Sequence, residues 1–291
     1  MNSTFQRIGI VGKYDSQNLA EPLRRLLAFL TARGAHVTLD HRSAAAVDAP
    51  PELAVTLENI GSHADLVIVL GGDGTMLHAA RALACQSVPI IGINLGQLGF
   101  LTDIPAQAME KMLGPVLDGH YQEETRTLLK TKIVRDGTIV SRSAALNDVV
   151  LTKGVRGSMI DLEVYVDGRF VYSLRADGLI VATPTGSTAY ALSSGGPILH
   201  PDLAAIVLVP ICPHTLSNRP IALSDRCTVE VILQKGAGAV ANFDVQDHCE
   251  LAADDRLVIT PAEKGIRLLH PLEHSYFAML REKLRWGAKL Y

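Results

Sequence analysis

A chain of 291 residues is longer than one compact domain usually requires, and 48% hydrophobic against 20% charged residues gives it the material for a core and excludes a disordered chain. The 27 Lys and Arg against 30 Asp and Glu leave a formal charge of −3, which offers no general attraction for nucleic acid or an acidic membrane, so any phosphate has to be bound locally. Aromatic residues, at 5%, provide little for stacking along a nucleic-acid strand.

The opening MNSTFQRIGIVGK lacks an apolar stretch of signal-peptide length, and the apolar run 204–212 is too short for a bilayer and is broken by Pro210. A cytoplasmic protein without membrane or nucleic-acid partners is expected. Cys85, Cys212, Cys227 and Cys249 are scattered and form no C-x-x-C pair, so neither a disulfide framework nor a zinc cage is signalled.

In chain order, residues 8–11 read as a buried strand, and Leu19, Leu23, Leu26, Leu27 and Leu30 line one face of a helix closed by Gly34. The alternation continues through a strand at 36–39, a weaker helix at 53–60 and a continuous apolar strand at 65–70. It goes on with a helix at 76–84, a strand at 89–94 and an amphipathic helix carrying Met109, Met112, Leu113, Val116 and Leu117. Strands alternating with helices imply a parallel α/β layer. Near Tyr121 the pattern changes to strands broken by Asp136-Gly137 and Asp167-Gly168, the second a type I′ hairpin signal between alternating residues. Further strands are expected at 205–209, 227–233, 239–243 and 257–259, and a helix at 275–284. The expected division is an α/β domain over 1–120, a β-rich domain over 121–271, and a C-terminal helical segment, 272–291, packing back on the first domain.

Three motifs carry chemistry. Gly71-Gly72-Asp73-Gly74-Thr75 follows a buried strand and opens a helix, where ligands gather at the carboxyl ends of parallel strands. Its glycines allow backbone N–H groups close to an anion, and the helix start offers its positive end to phosphate. A carboxylate there would repel phosphate unless it accepted a proton from an attacking hydroxyl or oriented a metal ion; the bland alternative is that Asp73 caps the helix. Neither G-x-x-x-x-G-K-[ST] nor G-x-G-x-x-G is present. The second motif, Arg175-Ala176-Asp177-Gly178 running on to Thr183-Pro184-Thr185-Gly186-Ser187-Thr188-Ala189-Tyr190 and Ser193, gathers hydroxyls and glycines after a strand. It suits sugar and phosphate recognition, with Tyr190 along a nucleobase, or forms an ordinary turn and cap. The third, Asn147-Asp148, interrupts an apolar strand; the two can share a ligand only at a bulge or strand end, and a tight turn is the alternative.

GGDGTML, GINLGQLGFLTD, LNDVVL, DGLIVATPTGSTAYALSSGGP and PHTLSNRP together resemble the bacterial NAD kinase family over nearly the whole chain. GGDGT alone is shared more widely, with phosphofructokinases and lipid kinases. The resemblance implies a parallel α/β (Rossmann-like) N-terminal domain, a C-terminal β-rich, β-sandwich-like domain, an active site between them and a homodimer or homotetramer. It implies transfer of phosphate from ATP, with Mg²⁺, to the 2′-hydroxyl of the adenosine ribose of NAD, giving NADP. Asp73 would be the general base, and Gly71, Gly72, Gly74 and Thr75 would cradle phosphate. Gly74, Asn147, Asp148, Asp177, Thr188, Ala189, Tyr190 and Ser193 would hold NAD, with His78 and Ser158 nearby and Gln246 carried over from a departing loop. Arg175 stands where relatives preferring NAD carry a basic residue. The family commonly has Asn-Glu for Asn147-Asp148 and Asp-Gly-Gln for Asp244-Val245-Gln246. Mg²⁺ is expected to arrive with ATP, without a dedicated protein cage. A lipid kinase would instead need an apolar acceptor groove, and a dinucleotide sensor would bind without turnover.

Overall fold

The computed structural model describes residues 4–14, 18–154 and 157–286. Two compact units form: one from the residues up to Glu124 together with those from Arg267 onward, the other from Thr125–Ile266. Among the described residues no helix is long and apolar enough to cross a membrane. Residues 287–291 of the expected C-terminal segment lie outside the described ones.

The first unit is built on an eight-stranded sheet. Its spatial order is Ala54–Val55, His36–Asp40, Arg7–Gly12, Leu66–Gly71, Ile90–Asn94, Ile266–His270 and Gln122–Arg126, with Ile104–Pro105 beside Ile90–Asn94. Leu66–Gly71 is buried at every position, and it pairs in parallel with Arg7–Gly12 on one side and Ile90–Asn94 on the other, which explains its unbroken apolar run. Ile8, Ile10, Ile68, Leu70 and Ile93 form one core with Leu23, Leu26 and Leu30 of the helix Ala20–Ala32 and with Leu113 and Val116 of the helix Met109–Leu117. Gly34 ends the first helix at φ +77°, as its sequence position predicted. The single helix expected at 53–60 is instead a 3₁₀ turn Pro51–Leu53, the two-residue strand Ala54–Val55 and a short helix Leu57–Ile60, because Ala54 and Val55 pair with Leu39 and Asp40 at the sheet edge.

The second unit is a sandwich of two antiparallel six-stranded sheets. One runs Ile221–Ser224, Ala205–Ile211, Gly178–Ala182, Asp148–Thr152, Val240–Phe243 and Asp247–Glu250; the other runs Arg169–Ala176, Ile160–Val166, Val229–Lys235, Arg256–Pro261, Leu129–Arg135 and Thr138–Ala145. Side chains from both, among them Val149, Leu151, Val181 and Phe243 from the first and Leu162, Val164, Val231 and Leu257 from the second, fill the core between them. Asp136-Gly137 and Asp167-Gly168 all take positive φ, the geometry of a type I′ turn, and each closes the expected hairpin.

Candidate active site

In the first unit the glycine turn joins the strand Leu66–Gly71 to the helix Asp73–Leu83. Gly72 is the N-cap, and the N–H groups of Thr75 and Met76 close onto its carbonyl at 3.0 and 3.1 Å. Asp73 therefore does not cap its own helix. Its carboxylate reaches across to the loop after Ile90–Asn94, where Oδ2 accepts from Phe100 N (2.8 Å) and Oδ1 from Leu101 N (3.0 Å) and Thr102 Oγ1 (3.3 Å). Asn94 holds that loop in turn, its amide donating to Thr102 Oγ1 at 2.9 Å and its carbonyl accepting from Gly96 N at 2.6 Å. A Cβ on Gly99 would collide with the Asp73 carboxylate, so the loop approaches this closely only with glycine there. The turn thus presents a fixed anion beside the exposed Gly74 at a helix start, where the first N–H groups have no intrahelical acceptor. Oδ1 accepts two hydrogen bonds and Oδ2 one, so Oδ2 keeps a lone pair for a substrate hydroxyl or a metal-bound water.

His78 lies five residues along the same helix, roughly 140° round from Asp73 at about 100° per residue. Its ring meets Tyr14 edge-on at 5.4 Å, and the Arg42 guanidinium stands 4.3 Å over Tyr14. Burial, then the charges of Arg81 and Arg42, lowers the imidazole pKa and favours neutral His78. Burial, then Asp40, pushes Tyr14 up to about 12.

In the second unit Asn147 and Asp148 stand at the start of the strand Asp148–Thr152, the strand-end arrangement in which neighbours can serve one ligand. Three segments meet at this corner. The buried Asp244 carboxylate accepts from Leu146 N at 2.7 Å, Asn147 N at 2.8 Å and Asp148 N at 3.1 Å. Thr183 N donates to the Asn147 carbonyl at 2.9 Å and Thr183 Oγ1 to the Leu146 carbonyl at 2.5 Å, while a Cβ on Gly186 would strike the Asn147 carbonyl. Ser187 Oγ donates to Pro184 O at 2.6 Å and accepts from Leu199 N at 2.9 Å. Thr183 and Ser187, two of the hydroxyls that the sequence offered as ligand groups, are thereby committed to holding the turn. Thr188 Oγ1 also donates within it, to Thr185 O at 3.1 Å. Ala189 leads into the short helix Tyr190–Ser193, where Tyr190 and Ser193 are exposed and Ala191 is buried as the anchor. Gln246 follows Asp244 and Val245, both at positive φ, and is exposed. Asp148 is 3% exposed; burial, then the Asp244 charge, pushes its carboxyl up to about 7.

Arg175, Asp177 and Ser158 do not join that corner. Asp148 pairs with Ala182 and Thr152 with Gly178, which puts Asp177 just beyond the opposite end of the strand pair, about 17 Å away at roughly 3.3 Å per residue. There Asp177 is ion-paired with Lys153 at 2.7 Å, and Arg175 lies 3.8 Å from Asp161. Ser158 is exposed in the adjoining loop. The sequence carries no signal for Lys153, and it shows Asp244 only as the first residue of the departing Asp244-Val245-Gln246 loop. Lys153 follows an apolar strand like any solvated residue, and Asp244 shows its role only when its backbone partners, nearly a hundred residues away, are in place.

A glycine turn with a fixed carboxylate at the carboxyl end of a parallel sheet, together with a hydroxyl- and carboxylate-lined corner on a β-sandwich, defines a nucleotide-dependent phosphotransferase. Residues 8–121 match the model of the ATP-NAD kinase N-terminal domain and residues 146–270 that of the ATP-NAD kinase C-terminal domain. NAD kinases of Thiobacillus denitrificans and Nitrosomonas europaea are each 50% identical, the first over 100% of both chains and the second over 99% of this chain and 98% of its own. Among solved structures, yeast NADH kinase complexed with NADH aligns with TM-score 0.90 at 25% identity, covering 100% of this chain and 90% of its own. An NAD kinase from Archaeoglobus fulgidus in complex with ATP aligns with TM-score 0.74 at 28% identity, covering 96% and 98%. The chain belongs to the NAD kinase family: it is a phosphotransferase with an alcohol acceptor, and its reaction is the ATP-dependent phosphorylation of the 2′-hydroxyl of the adenosine ribose of NAD to NADP.

Proposed function

We propose that Asp73 is the general base that takes the proton of the ribose 2′-hydroxyl, while the N–H groups of Gly72 and Gly74, with Gly71 and the Thr75 hydroxyl beside them, cradle the phosphates of ATP. The observation that carries this reading is the Asp73 carboxylate held at a helix start by Phe100, Leu101 and Thr102, fixed in direction yet still able to accept a proton. Phosphoryl transfer depends mainly on positioning and electrostatics, which a preset carboxylate and backbone donors supply. Mg²⁺ brought by ATP neutralises charge on the transferring group. The fit is that of a single carboxylate with a spare lone pair on Oδ2, the kind of partner a largely water-coordinated Mg²⁺ uses.

Asn147, Asp148, Thr188, Ala189, Tyr190, Ser193 and Gln246 hold NAD, with Asn147 and Asp148 reading base and ribose and Tyr190 offering an exposed ring for stacking. Arg175, Asp177 and Ser158, at the far end of the strand pair, and His78, on the first unit's helix, are further NAD contacts outside that corner, with Arg175 favouring oxidised NAD over NADH. The working protein is a cytoplasmic homodimer or homotetramer, which light scattering checks. The deciding experiment is NADP formation by purified protein with Mg²⁺-ATP, comparing NAD, NADH and diacylglycerol, alongside Asp73→Asn. Removing a positioned base costs about 10²–10⁴-fold in turnover while NAD still binds; a variant with wild-type turnover would remove Asp73 from the role, and equal rates with NADH would remove Arg175 from its own.

A further inference from the structure

The groups that hold Asp73 belong to Phe100, Leu101 and Thr102, and the next residue in the chain, Asp103, is an acid whose side chain is only 13% exposed. His270 Nδ1 and His274 Nδ1 both reach one of its oxygens, Oδ2, at 3.0 and 2.7 Å. The two imidazole rings stack on each other at 4.0 Å with a 24° tilt, and their side chains are 2% and 5% exposed, which leaves them little freedom to turn. His270 ends the strand Ile266–His270, whose Leu268 pairs with Ile90 inside the sheet, so the pair stands on a rigid element. Burial opposes charge on Asp103, but hydrogen bonds from His270 and His274 outweigh it and bring its carboxyl down to about 2. A carboxylate can only accept, so each Nδ1–H donates to it.

The loop between Asn94 and Asp103 is tied at both ends. Asn94 bonds Thr102 Oγ1 and Gly96 N, and the loop lies so close to the strand that a Cβ on Gly92 would meet Leu101 O and the Thr102 methyl. Beyond Asp103 the chain rejoins the sheet through the two-residue strand Ile104–Pro105, a short and weak anchor. Asp103 adds a charged tie, one peptide bond from Thr102, to side chains 167 and 171 residues further on. Hydrogen bonds to an ionised acceptor are roughly twice as strong as neutral ones. Without that carboxylate two buried N–H donors lose their acceptor, a penalty that the loop and the ring pair relieve by moving. Phe100, Leu101 and Thr102 move with the loop, and a misplacement of about 1 Å at a reacting group can cost about 10²-fold in turnover.

We propose that Asp103, gripped by His270 and His274, is a positioning residue for the reaction: it sets the loop that aims the Asp73 carboxylate, and so makes turnover depend on the last strand and the segment after it. This role rests on Asp73 as the general base. Asp103 touches no substrate in it and acts only through Phe100, Leu101 and Thr102, so its removal lowers the rate of the chemical step and leaves the binding of NAD and ATP in place.

The test is a double-mutant cycle on the full-length protein. It measures kcat and the KM values for NAD and Mg²⁺-ATP for Asp103→Ala, Asp73→Asn and the two together, at a temperature where circular dichroism shows each to be folded. Asp103→Ala should lower kcat about 10–100-fold with both KM values little changed. Once Asp73→Asn has removed the base, adding Asp103→Ala should cost less than about 2-fold more, because residues that act through one group are not additive. Asp103→Asn, which keeps an acceptor oxygen, should recover much of the kcat lost in Asp103→Ala. A kcat within about 2-fold of wild type in Asp103→Ala, or an equal loss with and without Asp73, overturns the positioning role while leaving Asp73 as the base. Wild-type turnover of Asp73→Asn would instead remove the base itself. If Asp103→Ala does not fold, His274→Phe, which keeps a stacked ring and has no Nδ1–H, carries the same comparison: a loss of kcat confined to proteins with Asp73 intact supports the role, and any other result overturns it.

Discussion

Replacing Asp148 by asparagine probes how the second unit handles a buried charge where NAD is proposed to bind. The carboxyl titrates at about 7 in the fold against 3.8 ordinarily, through burial and then the Asp244 charge. Between these values the folded protein keeps a proton that the unfolded chain has released, so this group's contribution to stability falls as pH rises through the window and is flat above about 7. From pH 5 to 8 the change spans about two units below the folded value, about 3 kcal/mol at roughly 1.4 kcal/mol per unit. The side-chain amide introduced by Asp148→Asn does not ionise, so the variant should gain about that much stability relative to wild type between pH 5 and pH 8. Urea unfolding at pH 5, 6, 7 and 8 measures this directly. A stability difference that stays constant across the series refutes a raised Asp148 pKa. If the ionised carboxylate accepts ribose hydroxyls, wild-type NAD affinity should also rise through pH 7, and the variant should lose that rise.

Gly99→Ala should push the Asp73 carboxylate off Phe100, Leu101 and Thr102 and lower kcat about 10–100-fold with little change in NAD affinity, because displacing a positioned group is costly to turnover; unchanged kcat would show that the loop yields without moving Asp73. Gly186→Ala should act oppositely, displacing the Asn147 carbonyl and weakening NAD binding, which calorimetry reads. Val245 is 87% exposed at φ +58°, a conformation that penalises a β-branched residue, so Val245→Gly should stabilise the protein by about 1 kcal/mol, seen as a higher Tm. A lower Tm would mean that the Val245 side chain contributes packing despite its exposure.

Local chemistry made much of the fold legible. The Asp-Gly hairpins form because both residues of each pair tolerate positive φ, and the unbroken apolar run of Leu66–Gly71 signals a strand covered on both faces. The strand Ile266–His270 left no comparable signal: five residues with one arginine among them become a strand because a place exists between Ile90–Asn94 and Gln122–Arg126. The glycine turn was readable as a site, but the partners of Asp73 were not, since they come from a loop about thirty residues away. At the other corner, hydroxyl density suggested ligand contacts where Thr183 and Ser187 instead fasten the turn, because a side chain's partner is set by tertiary neighbours.

The place of Ile266–His270 inside the first sheet has a consequence for synthesis. Chain emerging from the ribosome can complete the sandwich of Thr125–Ile266 while the earlier sheet still lacks an interior strand, leaving the Ile90 end of Ile90–Asn94, which Ile104–Pro105 does not cover, open until the residues around His270 appear. An unpaired apolar edge held open through some 140 further residues invites intermolecular pairing, and such non-local closure is slow. Fragments ending near residue 124 should therefore aggregate, whereas adding the peptide for the missing strand in trans should rescue solubility.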